Sequence, residues 1–121
     1  MLLRSALAAV LAFGASNSAE AHAALVRSQP GSRAVLQRAP ERIELCFNEA
    51  VEPKFSSLRI ERKPGSVIPV GDLVSSGDAK CISVLSPSLE PGVYTVHYRV
   101  LSRDGHVIEY GYQFTIKPDA Q

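Results

Sequence analysis

Two side chains that can hold a metal ion lie two residues apart in the stretch SRDGHVIEY, residues 102–110. Asp104 offers a carboxylate and His106 an imidazole, with Gly105 between them. Asp-Gly is also a common pair in hairpin turns, because both residues tolerate positive φ. Taken alone, the tripeptide predicts a turn. It becomes a candidate metal site only if a further ligand reaches it.

His22 is the candidate for that further ligand because of its place in the chain. Residues 19–25 read AEAHAAL, so a small-x-small pattern ends at Ala21, directly before His22. Cleavage after Ala21 would make His22 the first residue and give it a free α-amine beside its imidazole. The triplet that ends at Ala23 fits the same pattern, so cleavage after Ala23 is an alternative.

The first 21 residues have the layout of a secretory signal peptide. Arg4 supplies the positive charge, and an apolar run follows over residues 6–13. That run is about half of the ~20 residues that a membrane-spanning helix needs. A short buried helix is the alternative. We predict a signal peptide at residues 1–21 and a mature domain at residues 22–121, which is long enough for one modest core.

The three candidate ligands form a chemically specific set. The amine and ring Nδ1 of His22 can chelate one ion together, His106 adds a second imidazole and Asp104 a carboxylate. Three nitrogens and one oxygen in a tetragonal plane suit Cu(II), which also heads the divalent affinity order. Zinc prefers a tetrahedral set. Cu(I) prefers soft sulfur, and the mature chain has no methionine. The set therefore predicts one Cu(II) ion per chain.

Alternation of apolar and polar residues predicts the fold. The clearest stretch is IEYGYQFTI, residues 108–116, whose period of two is typical of a half-buried strand. Shorter sets occur at residues 25–26, 43–47, 58–60, 68–70, 82–84 and 94–100. Turn formers such as QPGS, KPGS and LEPG separate them. About seven short strands predict an all-β, immunoglobulin-like sandwich with Greek-key connections.

Two details of that sandwich bear on the candidate site. Tyr94 follows the turn LEPG and opens a strand, which is the position of a tyrosine corner, although an ordinary core tyrosine is the alternative. Leu25 and Val26 are expected on an edge strand. In an antiparallel sandwich the first strand can lie beside the last, and this arrangement would bring His22 near the final hairpin.

Cys46 and Cys81 are the two cysteines of the chain. An exported chain meets an oxidising compartment, so an even count favours a disulfide; two buried thiols or a thiolate metal site are the alternatives. The alternation places both side chains on the outer face of neighbouring strands. We therefore predict a cross-strand disulfide with no role in copper binding.

The charge of the chain is nearly balanced. The full sequence has 13 basic and 12 acidic side chains, and removal of Arg4 and Glu20 with the signal peptide leaves 12 and 11. No long basic run or basic-aromatic pattern indicates nucleic-acid binding. No serine is followed by a nucleophile elbow motif, so nothing indicates a hydrolase.

Four stretches together carry a family resemblance: HAALVRSQP, IELCFNEAVEP, LEPGVYTVHYRVLSRDGH and GYQFTI, over about residues 22–118. In combination they resemble the CopC family of periplasmic copper-resistance proteins, which are copper-binding β-sandwiches. The resemblance implies that His22, Asp104 and His106 are the Cu(II) ligands. It also implies a periplasmic location and a CopD-like inner-membrane copper transporter as the partner.

Single positions of this chain can also be compared with the residues usual in the CopC family. Glu49 in FNEAVEP matches a family acidic position near the metal, as a weak ligand or a neighbour of the ligands; a solvated charge at a strand end is the alternative. The Met-rich loop of some family members is missing, which fits a site for Cu(II) alone. His97 stands where the family often has a small polar residue and is expected on the surface. Tyr98 replaces a frequent tryptophan in the core.

The predicted function is sequestration or carriage of Cu(II) for copper resistance or homeostasis, without catalysis. Two alternatives belong to other classes. A histidine-brace copper oxygenase, like the lytic polysaccharide monooxygenases, would use the same N-terminal histidine, although Asp104 would occupy a position that oxygen chemistry needs open. An immunoglobulin-like interaction module would use the DGH stretch only as a turn.

Overall fold

The computed structural model describes residues 24–118. His22 and the predicted signal peptide lie outside the described residues, and so do residues 119–121. Within the described range the fold is all-β, with one short 3-10 helix at Pro53–Phe55. The strands are β1 (Leu25–Gln29), β2 (Val35–Leu36), β3 (Arg42–Phe47), β4 (Ser57–Arg62), β5 (Ser66–Ile68), β6 (Val74–Ser76), β7 (Asp78–Leu85), β8 (Gly92–Leu101) and β9 (Val107–Ile116).

The strands form two sheets that pack as a sandwich, so the predicted fold class is confirmed. One sheet has the order β1-β3-β7-β6 and the other the order β2-β9-β8-β4-β5. The structure has nine strands between residues 24 and 118, and the alternation indicated seven of them. It missed β2 and β6, which have two and three residues.

The alternating apolar residues of both sheets meet in the core. Tyr94 and Phe114 stack with ring centroids 5.4 Å apart, and Phe47 meets Tyr98 edge to face at 5.8 Å. The Tyr94 hydroxyl donates a hydrogen bond to the Glu90 carbonyl, which confirms the predicted tyrosine corner. This corner fixes the start of β8, the strand that leads directly into the DGH stretch.

Tyr110 departs from the alternation. It has the same parity as the buried Tyr112 and Phe114, yet it is 73% exposed. The reason lies in the sheet order. In the described part of the chain, β2 covers the outer edge of β9 only at Thr115 and Ile116. The other end of β9, near the hairpin, therefore has an open edge, and the Tyr110 ring stands beside it.

The predicted cross-strand disulfide is present. Cys46 of β3 and Cys81 of β7 are register partners and are bonded to each other. Both are on the outer face, as predicted, but they are only 3% and 5% exposed. The Arg27 guanidinium covers them, with Nη2 3.1 Å from Cys46 Sγ and 3.8 Å from Cys81 Sγ.

One predicted neighbour relationship is wrong. β1 is an edge strand, as expected, but it pairs with β3 and not with the last strand. The strand beside β9 is β2, which runs parallel to it. Periodicity shows which face of a strand is buried, whereas the choice of partner depends on the path of the whole chain.

Candidate metal centre

The β8–β9 hairpin presents the two candidate ligands of the described chain. Its strands remain in register up to the pair Leu101 and Val107. In the loop between them, Gly105 has φ +92°, a conformation that glycine adopts without steric cost. Two backbone bonds close the loop: the Ser102 nitrogen donates to the His106 carbonyl at 2.9 Å, and the Gly105 nitrogen to the Ser102 carbonyl at 3.0 Å.

Asp104 and His106 are brought together as the spacing predicted. Nδ1 of His106 lies 3.0 Å from Oδ2 of Asp104, and each side chain is 46% exposed. A donor atom lies about 2.0–2.1 Å from a bound metal ion such as zinc. Two donor atoms that bind one ion at a right angle to each other are therefore about 2.9 Å apart. The observed separation therefore suits a hydrogen bond and equally suits adjacent positions on one metal ion.

The surroundings of Asp104 favour its charged form. The hydrogen bond from the Ser102 hydroxyl is the main cause that lowers the pKa of Asp104 below its usual range. Partial burial opposes this shift, and the hydrogen bond and charge of His106 lower the pKa further. A carboxylate must be deprotonated to bind a metal, so this environment prepares Asp104 for that role.

The start of the described chain is linked to the hairpin through residues 48–51. The Ala24 nitrogen donates to Asn48 Oδ1 at 2.7 Å, and the Asn48 nitrogen donates to the Ala24 carbonyl at 3.1 Å. Three residues later, Val51 forms a β-bridge with Ser102. The Arg103 nitrogen also donates to the Ala50 carbonyl at 3.0 Å. One short segment therefore contacts both the chain start and the hairpin.

This link bears on His22, which lies outside the described residues. Ala24 lines the same groove as Val107 and Ile108, directly after the hairpin loop. The groove has a volume of about 610 Å³. The position of His22 as a ligand stays a prediction.

Glu49 belongs to the connecting segment, and its side chain is unusual. Its Oε2 atom is buried and has no hydrogen-bond partner among residues 24–118. A buried carboxylate oxygen is costly unless a donor or a cation satisfies it. No group of three or more His, Cys, Asp or Glu side chains that could hold a metal is assembled within the described range. A contact between Glu49 and the metal therefore stays a prediction.

His97 lies on β8, away from the hairpin loop, on the outer face of the sheet. It pairs in register with Gly111, and its Nε2 lies 2.9 Å from Glu61 Oε2. The imidazole is 36% exposed. The prediction of an outward-facing histidine is confirmed, although a hydrogen bond joins the imidazole to Glu61 and the side chain is only partly exposed.

Sequence reasoning missed two residues that organise the site. Ser102 directly precedes the turn, and its hydroxyl contacts both Asp104 and His106. A local signal existed, because serine at the start of a turn often bonds to the backbone ahead of it. Asn48 holds the chain start, and no local signal could reveal a contact across 24 residues.

A comparison with models of protein families shows which family this chain belongs to. The model of the CopC domain matches residues 25–117. The chain belongs to the CopC family. The CopC resemblance predicted from the four sequence stretches is therefore confirmed. In the described range of this CopC chain, no helix has the length and apolar character needed to cross a membrane.

Several relatives are similar over most of the CopC chain. Protein YobA of Escherichia coli K12 is 37% identical over 117 residues, which cover 95% of this chain and 94% of YobA. Copper resistance protein C of Escherichia coli is 33% identical over 125 residues, which cover 97% and 98%. Copper transport protein CutJ of Bacillus subtilis is 31% identical over 98 residues, which cover 79% of this chain but 18% of CutJ.

A solved structure supports the same relationship. The crystal structure of CopC from Methylosinus trichosporium OB3b matches with a TM-score of 0.77 and 33% sequence identity. The match covers 83% of this chain and 98% of that one. The sandwich described above is therefore the CopC fold, and the chain is a member of a family of copper resistance and copper transport proteins.

Proposed function

We propose that this chain is a periplasmic Cu(II)-binding protein that sequesters or carries one copper ion per chain. The observation that carries the proposal is the Asp104–His106 pair, whose Oδ2 and Nδ1 atoms lie 3.0 Å apart on a hairpin tied to the chain start. Relatives named for copper resistance and copper transport support the choice of metal.

In this proposal His22 completes the site after cleavage behind Ala21. Its amine and Nδ1 form one chelate ring, and Asp104 and His106 supply the other two donors. Three nitrogens and one oxygen suit the tetragonal geometry of Cu(II). Glu49 is placed beside the metal as a weak ligand or as a neighbour of the amine, and its buried, unpartnered oxygen supports either role.

Binding without catalysis is the second part of the proposal. An oxygenase of the histidine-brace type needs an open coordination position for oxygen. The carboxylate of Asp104 adjoins the imidazole of His106, so it would occupy a position next to that ligand. The proposed role is therefore resistance or homeostasis, in which copper is held and passed on.

A membrane copper transporter of the CopD type is the proposed recipient. The support comes from CutJ, a copper transport protein in which the region similar to this chain makes up 18% of the length. A CopC-like domain thus occurs within a longer transport protein. Residues 1–21 act as the signal peptide in this proposal and deliver the domain to the periplasm.

The decisive experiment compares two N-termini. One protein begins at His22, and the other carries a single extra alanine before it. The extension converts the amine into an amide and removes the chelate ring but keeps the imidazole. We expect Cu(II) affinity, measured by competition titration, to fall by more than the ~10–100-fold typical when a residue that only supports a metal ligand is lost. The electron paramagnetic resonance spectrum should lose the signature of one nitrogen.

Controls separate ligand loss from misfolding. The circular dichroism spectrum and Tm of the metal-free protein should be the same with either N-terminus. Asp104→Ala and His106→Ala should weaken Cu(II) binding. His97→Ala should not, because the His97 side chain contacts Glu61 away from the hairpin loop. Equal Cu(II) affinity for the two N-termini would rule out the amine as a ligand and contradict the proposed site.

A further inference from the structure

Ser102 is a buried polar residue at the base of the candidate metal hairpin. It is 1% exposed, and Ser83 is the other polar residue classed as buried between residues 24 and 118. A buried hydroxyl is costly unless its hydrogen-bonding capacity is used. Ser102 uses it entirely within the hairpin: the hydroxyl donates to Asp104 Oδ1 and accepts from the His106 nitrogen at 3.1 Å.

These bonds orient the Asp104 carboxylate and hold the backbone of His106. Asp104 accepts the Ser102 bond on Oδ1, and its other oxygen, Oδ2, is the one near the His106 ring. The carboxylate therefore cannot rotate without losing the Ser102 bond. His106 is held through its backbone nitrogen, in addition to the bond from the Ser102 nitrogen to its carbonyl at 2.9 Å. Both candidate ligand side chains are half exposed.

Ser102 is itself held by the rest of the fold. It forms a β-bridge with the buried Val51, and the next residue, Arg103, donates to the Ala50 carbonyl at 3.0 Å. Val51 is 1% exposed and belongs to the core. Through its hydroxyl, Ser102 therefore connects two candidate ligands on an exposed loop to the packed core.

We propose that Ser102 is the positioning residue of the copper site, which holds Asp104 and His106 in the geometry that receives the ion. This inference rests on the proposed function. Residues that hold metal ligands through hydrogen bonds typically change metal affinity about 10–100-fold when they are removed. Ser102 holds Asp104 through such a hydrogen bond and is not itself a proposed metal ligand.

The test compares two buried serines in the protein that begins at His22. Ser102→Ala removes the hydroxyl at the site. Ser83→Ala removes an equally buried hydroxyl that bonds to Arg42 Nη2 at 2.7 Å in the other sheet. Cu(II) affinity, the electron paramagnetic resonance spectrum and Tm are measured for both variants. We expect Ser102→Ala to weaken affinity about 10–100-fold and to shift the spectrum, while Ser83→Ala changes only Tm.

A double-mutant comparison adds a readout that a merely structural role would not change. If Ser102 acts through Asp104, Ser102→Ala should cost much less affinity in an Asp104→Ala background than in the native one. Unchanged affinity and spectrum in Ser102→Ala would overturn the proposal. So would an equal loss of affinity in Ser102→Ala and Ser83→Ala, because the cause would then be general destabilisation.

The outcomes also separate this inference from the proposed function. If Asp104→Ala and His106→Ala weaken Cu(II) binding and Ser102→Ala does not, the copper site stands and the positioning role fails. If neither ligand variant changes Cu(II) affinity, the proposed copper site itself fails, and the positioning role fails with it.

Discussion

The backbone nitrogen of Ala24 donates to Oδ1 of Asn48 at 2.7 Å, and the backbone nitrogen of Asn48 returns a bond to the Ala24 carbonyl at 3.1 Å. This two-sided contact lies just before β1, next to the register pair of Leu25 and Phe47. It fixes the backbone of Ala24, the first residue that the structure describes. Asn48 therefore holds the start of the described chain, as Ser102 holds Asp104 and the backbone of His106.

Asn48→Ala should weaken Cu(II) binding several-fold. The substitution removes the acceptor for the Ala24 nitrogen and lets the first residues sample more directions, so more entropy is lost when His22 binds. The loss of stability should be small, about 0.5–1.5 kcal/mol, because one hydrogen bond at an exposed position is removed. Competition titration and thermal unfolding measure the two effects. Asn48→Asp keeps an acceptor for the Ala24 nitrogen and serves as the control. Equal Cu(II) affinity in Asn48→Ala and the native protein would show that the contact between Ala24 and Asn48 does not support copper binding.

The local part of the site was predictable from the sequence, and the long-range part was not. Asp104 and His106 are two residues apart, and a hairpin turn places them together whatever the rest of the fold does. The link from Ala24 to the hairpin depends on Asn48 and Val51, which are distant in sequence from both. The sequence suggested that the first strand could lie beside the last, whereas β1 lies beside β3. The approach of His22 to the hairpin stays a prediction.

The same distinction holds for the fold. Alternation marked every strand of five or more residues, and it placed Cys46 and Cys81 on one face of neighbouring strands. It could not show that Arg27 covers the disulfide, because that contact depends on the pairing of β1 with β3. Nor could it show that Tyr110 is exposed, since exposure there follows from the limited reach of β2 along β9.

Copper binding should weaken steadily as pH falls from about 8 to about 5. The proposed nitrogen donors bind copper only when deprotonated, so protons compete with the ion. Free imidazole and α-amine groups titrate at about 6.5 and about 7.7–8.0. The amine should therefore be lost first, and the chain with the extra alanine should show a weaker dependence above about pH 7. Cu(II) affinity that is flat across this range would exclude nitrogen ligands.

Removal of the disulfide should lower stability without changing the copper site. The bond between Cys46 and Cys81 spans a sequence separation of 35. A bridge across a loop of this size typically stabilises a domain by about 2–4 kcal/mol. Denaturant unfolding of the Cys46→Ala, Cys81→Ala double variant measures this loss. Cu(II) affinity should be unchanged in the folded variant, because both sulfurs lie under Arg27. A large loss of affinity would show that the disulfide supports the site.

Tyr112 should make the fold sensitive to alkali. It is 8% exposed, and its hydroxyl has no hydrogen-bond partner at normal distance among the described residues. Burial raises the pKa of Tyr112 to about 12, while the Ser28 side chain slightly opposes this shift. The ordinary value is about 10, so the unfolded chain ionises first as pH rises. The stabilisation is complete below pH ~10 and is lost between about pH 10 and 12.

Tyr112→Phe is the substitution that tests this interpretation. At neutral pH the variant should be as stable as the native protein or more stable, because it removes a buried hydroxyl without a partner. At pH 11.5 the native protein should have lost about 2 kcal/mol more stability than the variant, because Tyr112 ionises at about 10 in the unfolded chain and its pKa in the folded protein is about 12. Denaturant unfolding at pH 7 and at pH 11.5 measures both quantities.

Tyr94→Phe is the matched control. The Tyr94 hydroxyl is bonded to Glu90, so its loss should cost about 0.5–1.5 kcal/mol of stability at neutral pH. Equal destabilisation of the two variants at pH 7 would show that the Tyr112 hydroxyl has a partner after all.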